Sequence, residues 1–162
     1  MKKLFSLLLV LAAVLSGCSG ESKPTDSASK TDGYVFTHNG VDIVLGEEAA
    51  PKLEALGEAA NYFESPSCAF NGIDKTYSYG GVELYTYPEG DKDYFLSVIL
   101  VDDSVKTPEG IYIGSTLDSM LGAYGEGYAE DKGLYTYTKG KMSLAFLVDG
   151  GEVVTITYTY NY

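Results

Sequence analysis

The sequence is poor in the residues that build catalytic and metal centres. Its 162 residues include one histidine, two cysteines and no tryptophan, and none of its 11 basic residues is arginine. With so few histidines and cysteines, a Cys/His zinc site, a disulfide framework or a histidine-centred triad is hard to build. We therefore expect neither an enzyme nor a protein that depends on a metal ion or a cofactor.

The charge balance is strongly acidic. Asp and Glu number 23, which gives a formal net charge of −12. A nucleic-acid-binding surface neutralises phosphates with lysine and arginine, so this balance argues against nucleic acid as a partner. It favours a protein partner with a basic surface, because an acidic field steers such surfaces towards the chain.

The N-terminal segment is typical of a bacterial lipoprotein signal. Two lysines precede an apolar stretch over residues 4–15, which at about 12 residues is shorter than the roughly 20 needed to span a membrane. The tetrapeptide LSGC at 15–18 resembles the lipobox of bacterial lipoproteins. The resemblance implies that residues 1–17 are removed. It also implies that Cys18 carries a diacylglycerol and acyl chains such as palmitate, which anchor the protein to the extracytoplasmic face of the cell membrane.

A linker connects this anchor to one folded domain. After Cys18, the stretch to residue 32 is polar, with a single proline and no large apolar side chain, a composition that predicts a flexible coil. The domain is predicted over 33–162. Removal of residues 1–17 takes away lysines and no acid, so the mature chain is more acidic than the precursor.

The domain contains an internal repeat, which predicts two fused units of one architecture. The first unit covers about 41–105 and the second about 110–162. Each begins with a short apolar segment that ends in glycine and continues to a Gly-Glu pair, at Gly57 and at Gly125. Each then carries a Tyr-Ser-Tyr or Tyr-Thr-Tyr segment, and the first unit has an insertion over Ser65–Asp74 before it.

Apolar spacing predicts one helix in each unit. Residues at i, i+3, i+4 and i+7 predict an amphipathic helix over 115–124. Ser115 is its expected N-cap, and Leu121 and Tyr124 are expected on its buried side. The counterpart in the first unit is predicted over 47–56, with acidic residues in its first turn.

Alternation along the remaining segments predicts strands. In the C-terminal segment Val154 and Ile156 share one face, whereas Thr155 and Thr157 share the other. Glycine-rich turns separate successive segments of this kind. The predicted fold class is α+β: two helix-plus-antiparallel-meander units that form one roughly eight-stranded sheet with the helices on one face.

Several motifs support a more specific resemblance over residues 41–162. They are Ile113-Gly114, Tyr124-Gly125, Tyr135-Thr136-Tyr137 and the closing segment 149–153. Together they resemble the beta-lactamase inhibitory protein fold, a tandem repeat of a helical segment and a four-stranded meander. Segments 68–72, 77–79 and 107–111 are also similar to a group of uncharacterised bacterial lipoproteins. The resemblance implies an open sheet surface suited to binding protein.

The predicted binding face is the side of the sheet without helices. If the helices cover the Tyr/Val/Ile side, the other side is lined by Ser, Thr and Glu, with tyrosines whose side the pattern leaves open. The candidate residues are Ser78, Glu83, Tyr85, Tyr87, Thr136, Thr155 and Thr157. Tyrosine is enriched at protein interfaces. We expect a lipid-anchored binding module for a protein or envelope partner; the alternative is a structural or assembly lipoprotein within an envelope complex.

Other chemistry-bearing residues have simpler interpretations. His38 lies in a turn-like segment and is predicted at the surface, without the oriented partner that a general base needs. Cys68 is predicted to be a small buried residue, with a reactive thiol or an intermolecular disulfide as alternatives.

Acidic turns at Glu89–Asp93 and Asp102-Asp103 lack the spacing of a twelve-residue calcium loop. They are predicted to be solvated turns, with calcium binding as the alternative.

Overall fold

The structure is a computed structural model that describes residues 32–162. The predicted signal segment 1–17, Cys18 and the linker to residue 31 lie outside the described residues. No helix within 32–162 has both the length and the apolar character to cross a membrane. The elements are β1 (Val35–His38), β2 (Val41–Val44), α1 (Ala50–Leu56), β3 (Asn61–Pro66), β4 (Ile73–Tyr79), β5 (Val82–Glu89), β6 (Lys92–Leu100), α2 (Leu117–Tyr124), β7 (Tyr128–Asp131), β8 (Leu134–Lys139), β9 (Met142–Asp149) and β10 (Glu152–Tyr160).

The predicted α+β class with one eight-stranded antiparallel sheet is confirmed. The strand order is β3-β4-β5-β6-β10-β9-β8-β7, so the last strand of each meander pairs at the centre. Every neighbouring pair in this sheet is antiparallel. Strands β1 and β2 form a separate two-stranded sheet. The sequence patterns did not predict this pairing.

One face of the large sheet carries the hydrophobic core. Alternate residues of the central strands are almost completely buried there, including Val82, Leu84, Val98, Leu100, Leu144, Phe146 and Ile156. The helices and the β1–β2 hairpin pack on the same side. Phe36 of β1 contacts Tyr158 of β10 with ring centroids 5.5 Å apart, and Met120 of α2 is fully buried. Burial of each such side chain stabilises the fold by about 1.5–3 kcal/mol.

Helix α2 begins at Leu117 and not at Ser115, because Thr116 is its N-cap. The Thr116 hydroxyl oxygen accepts a hydrogen bond from the Ser119 backbone N–H at 3.2 Å. Ser115 is buried, and its hydroxyl oxygen accepts the Tyr112 backbone N–H at 3.0 Å. The predicted Ser115 cap is therefore wrong by one residue.

The most buried side chain of α2 is not one of the two residues that the sequence predicted on its buried side. Met120 is fully buried, whereas Leu121 and Tyr124 are partly buried at the margin of the core. Helix α1 is also shorter than predicted: it covers Ala50–Leu56, with Pro51 in its first turn. Proline fits there because the first helical N–H groups have no acceptor within the helix. The predicted acidic residues of that turn, Glu47 and Glu48, lie before the helix, so that prediction is wrong.

A β-bulge in β10 changes which valine faces the core. Alternation from the C-terminus predicted Val154 on the same face as Ile156. The pairing register with β9 shifts between Val153 and Thr155, so one additional residue is accommodated in β10. As a result Val153 is fully buried and Val154 is 42% exposed.

Candidate functional site

The face of the large sheet opposite the core carries many hydroxyl side chains, with a few larger residues among them. In the central strands, Thr157 of β10 lies opposite Ile99 of β6 and Ala145 of β9. Thr159 lies opposite Ser97 in the next row. Directly opposed residues share a face. These side chains are partly exposed and do not belong to the core cluster. We call this surface the exposed sheet face.

The register brings the predicted binding residues onto this face. One row of directly opposed residues, which we call the long row, crosses the sheet. It consists of Ser78, Glu83, Ile99, Thr157, Ala145 and Thr136. Tyr85 lies in a neighbouring row opposite Ser97, and Thr155 lies opposite Leu147 in a row on the other side. The predicted set therefore spans the sheet from β4 to β8.

Tyr85 and Glu83 are linked along β5. The Tyr85 hydroxyl donates a hydrogen bond to Glu83 Oε2 at 2.6 Å. This bond, burial and the nearby carboxylate charge raise the pKa of Tyr85 to about 12. The phenol is neutral at physiological pH and donates to Glu83, and Tyr85 lies opposite Thr76 and Ser97 in the sheet.

The long row carries only acidic charge. Glu83 is its single charged member, and within residues 32–162 it forms no salt bridge with a lysine. Two lysines elsewhere are engaged by other acids: Lys75 contacts Asp93 at 2.6 Å and Lys92 contacts Glu48 at 2.6 Å. The exposed sheet face is therefore suited to neutral or basic surfaces rather than acidic ones.

Tyr87 differs from the other predicted binding residues because its ring is only 6% exposed. Phe70, from the loop between β3 and β4, lies over it with ring centroids 4.6 Å apart. Tyr160 and Tyr162 flank it, each with centroids at 6.3 Å. Accessible aromatic area here comes from Tyr162, which is 69% exposed. No local sequence pattern signals this cluster, because its members come from distant parts of the chain.

His38 is buried and not part of a surface turn, so that prediction is wrong. It ends β1 opposite Val41 and is 6% exposed. Its ring stacks on Phe36 at 6.4 Å and lies 6.1 Å from Tyr79. Burial lowers its pKa, and Nε2 has no hydrogen-bond partner among the described residues. An imidazole in such surroundings has a packing role.

Cys68 is exposed, so its predicted burial is also wrong. It is a free thiol in the loop between β3 and β4. The loop is held by Ser67, whose hydroxyl oxygen accepts the backbone N–H groups of Ala69 at 3.2 Å and Phe70 at 3.0 Å. The conformation of this loop therefore directs the side chain of Phe70, and not that of Cys68, towards the rest of the protein.

The acidic turns are held by local contacts. Asp93 pairs with Lys75, and Asp102 accepts the backbone N–H of Ser104 at 2.9 Å. Hydrogen bonds from the Ser104 hydroxyl and backbone lower the pKa of Asp102. In the part of the chain that the structure describes, no group of three or more His, Cys, Asp or Glu is placed to hold a metal ion.

Comparison with known proteins gives little further information. No protein-family model matches the chain, and no curated protein matches it. Among solved structures, a 1.5 Å crystal structure of an extracellular protein containing an SCP domain from Bacillus anthracis is 14% identical, with a TM-score of 0.46. The match covers 77% of this chain and 48% of that one, so the chain spans about half that protein's length. A likeness at this level identifies neither a shared family nor a shared function.

Proposed function

We propose that this protein is a lipid-anchored, extracytoplasmic binding module that recognises a protein partner through the exposed sheet face. The observation that carries the proposal is the row from Ser78 to Thr136, which the helices and the β1–β2 hairpin leave uncovered. An antiparallel sheet with one packed face presents its other face to water or to a partner. Short side chains allow close approach, and hydroxyls both donate and accept hydrogen bonds.

Charge defines the kind of partner. The net charge of −12 and Glu83, which forms no salt bridge within residues 32–162, favour a partner with a basic patch. Such an association slows as salt is added, because the Debye length falls to about 8 Å at physiological ionic strength. A partner held only by apolar contacts would show little salt dependence.

The membrane location rests on the sequence of the N-terminal segment. Cys18 follows an apolar stretch too short to span a membrane. We expect Cys18→Ala to release the protein from the membrane fraction or to block its processing, whereas Ser19→Ala, as a matched control, leaves it membrane-bound. A Cys18→Ala variant that stays in the membrane and resists carbonate extraction would contradict the anchor.

The domain is proposed to consist of two related units, as in the beta-lactamase inhibitory protein fold. Each helix precedes one four-stranded meander, and the meanders meet in mirrored order at β6 and β10. Two equivalent hydrogen bonds support the relation: the Tyr79 hydroxyl donates to the Gly57 carbonyl at 3.2 Å, and the Tyr137 hydroxyl donates to the Gly125 carbonyl at 2.7 Å. Both glycines end a helix with positive φ, 80° and 74°.

Paired variants of equal charge test the proposed face. Thr157→Lys with Thr136→Lys places two bulky cations in the long row, while Ala55→Lys with Ala123→Lys adds the same charge on exposed positions of α1 and α2. The anchored protein is used to isolate partners from native membranes, and the affinity of each variant is measured by surface capture with circular dichroism as the folding control.

The threonine pair is expected to weaken binding by about tenfold or more, about 1.4 kcal/mol, and the alanine pair to retain it. Unchanged affinity in a folded Thr157→Lys, Thr136→Lys protein would contradict the proposed face. Association with partners could instead be lost when the membrane complex is dissolved and remain unchanged in both variant pairs. That result would favour the alternative, a structural or assembly lipoprotein within an envelope complex.

A further inference from the structure

A cleft with a volume of about 330 Å³ opens beside the buried Tyr87. Phe70, Tyr160 and Tyr162 line it together with Tyr87, and so do Glu89 and Lys141. We call it the aromatic cleft. Its size is near the lower end for ligand sites and suits one small ligand. It is built from the loop between β3 and β4, the end of β5, the turn before β9 and the C-terminal residues at and after the end of β10, and is separate from the long row of the exposed sheet face.

The rings of the aromatic cleft form flat apolar walls. The planes of Tyr87 and Tyr160 are nearly parallel, at 10°. Phe70 stacks on Tyr87 at 27°, and its centroid lies 4.7 Å from that of Tyr162. The face of an aromatic ring is electron-rich and attracts polarised C–H groups. Such walls fit a ligand that presents a flat array of C–H bonds.

The polar side chains of the aromatic cleft take part in neither of the salt bridges found within residues 32–162. Five tyrosine hydroxyls elsewhere donate to protein oxygens, those of Tyr62, Tyr79, Tyr85, Tyr124 and Tyr137. Over residues 32–162, the Tyr87, Tyr160 and Tyr162 hydroxyls form no such bond, and neither Glu89 nor Lys141 forms a salt bridge. The Lys141 ammonium lies 5.7 Å from the centroid of the Tyr160 ring.

The chemistry of these groups selects among ligand classes. A carboxylate accepts hydrogen bonds, an ammonium group donates them, and phenol hydroxyls do both. A quaternary ammonium ion would stack on the rings and be attracted by Glu89, but it is repelled by Lys141 and forms no hydrogen bonds, so it would leave the tyrosine hydroxyls and Lys141 without a partner. A proline-rich peptide offers carbonyl acceptors but few donors for Glu89. An anionic ligand is opposed by the net charge of −12.

We propose that the aromatic cleft binds a neutral saccharide, with a pyranose ring stacked on the exposed face of Tyr162, in edge contact with Phe70, and its hydroxyls bonded to Glu89 and Lys141. A neutral sugar combines C–H-rich ring faces with hydroxyls that donate and accept hydrogen bonds, so it can contact both the aromatic rings and the polar side chains of the cleft. This activity goes beyond recognition of a protein by the exposed sheet face and does not depend on it.

Saturation-transfer NMR on the full chain in phospholipid vesicles free of sugar detergents tests the proposal. The probes are the methyl glycosides of glucose, galactose, mannose and N-acetylglucosamine. At least one is expected to show saturation transfer to its ring C–H protons. Tyr162→Ala and Glu89→Gln are each expected to weaken that binding about tenfold. Tyr112→Ala, which removes another exposed tyrosine, is expected to leave it unchanged.

Two outcomes would overturn the proposal. One is the absence of transfer to all four glycosides; the other is transfer that survives both Tyr162→Ala and Glu89→Gln. Tetramethylammonium and a pentaproline peptide serve as further probes under the same conditions. Transfer to either of them but to no glycoside would reassign the aromatic cleft to a cation or to a peptide.

Discussion

The two faces of the large sheet are made by the same strands and differ in what covers them. In β9, Leu144 faces the core and is completely buried, whereas Leu147, on the other face, is 37% exposed. In β10, Ile156 and Tyr158 face the core, and Thr157 between them faces outward. One strand thus supplies stability through one set of side chains and an accessible surface through the other.

The largest contrast is expected from two leucine truncations in β9. Leu144→Ala removes a completely buried side chain and should lower the free energy of unfolding by about 2–5 kcal/mol. Leu147→Ala, on the exposed face of the same strand, should cost less than about 1 kcal/mol. Urea unfolding followed by circular dichroism measures both values. Similar losses would mean that the second face is also covered.

The bulge in β10 can be tested by comparing truncations of the two adjacent valines, Val153 and Val154. Val153→Ala should lower the free energy of unfolding by about 1.5–3 kcal/mol, because Val153 is fully buried. Val154→Ala should change it by less than about 0.5 kcal/mol, since Val154 is 42% exposed. The reverse order, measured in the same urea titration, would restore the uninterrupted alternation and contradict the bulge.

His38 makes the core side sensitive to pH. Its pKa is lowered by burial, so below the ordinary value of about 6.5 the unfolded chain takes up a proton that the folded chain excludes. Stability is therefore lost as the pH falls, with a slope of at most about 1.4 kcal/mol per pH unit for this one group. His38→Phe should reduce the loss of unfolding free energy that occurs between about pH 7.5 and pH 5. Parallel profiles for the two proteins would rule this out.

The smallest expected effect on stability comes from the exposed sheet face. Thr157→Lys with Thr136→Lys should shift the unfolding free energy by only about 0.5 kcal/mol per site, because both side chains are partly exposed and do not belong to the core. Thermal unfolding of the double variant measures this. A loss as large as that of Leu144→Ala would show that the face is packed against another part of the protein.

Much of the fold could be predicted from short-range patterns. The eight-stranded sheet follows from two-residue alternation between glycine turns, and α2 follows from the helical spacing of Leu117, Met120 and Leu121. The bulge could not be predicted, because alternation on either side of Val154 is regular and only pairing with β9 shows the additional residue. The N-cap at Thr116 was missed because Ser115 is an equally good capping residue by type.

The remaining differences depend on tertiary contacts. His38 is buried because Phe36 and Tyr79 enclose it, and Tyr79 lies on another sheet. The aromatic cleft joins Phe70 to the C-terminal Tyr162, a proximity that no local pattern contains. The exposed sheet face was predictable as a set of residues, since alternation alone assigns them to one side once the covered side is known.

Site-specific photo-crosslinking on intact cells tests the central claim most directly. A benzophenone amino acid replaces Thr157 on the exposed sheet face or, in the matched protein, Ala123 on the exposed side of α2. We expect a covalent adduct with a partner protein from position 157 and none from position 123. An adduct from position 123 alone, or no adduct from either position, would contradict recognition through the exposed sheet face.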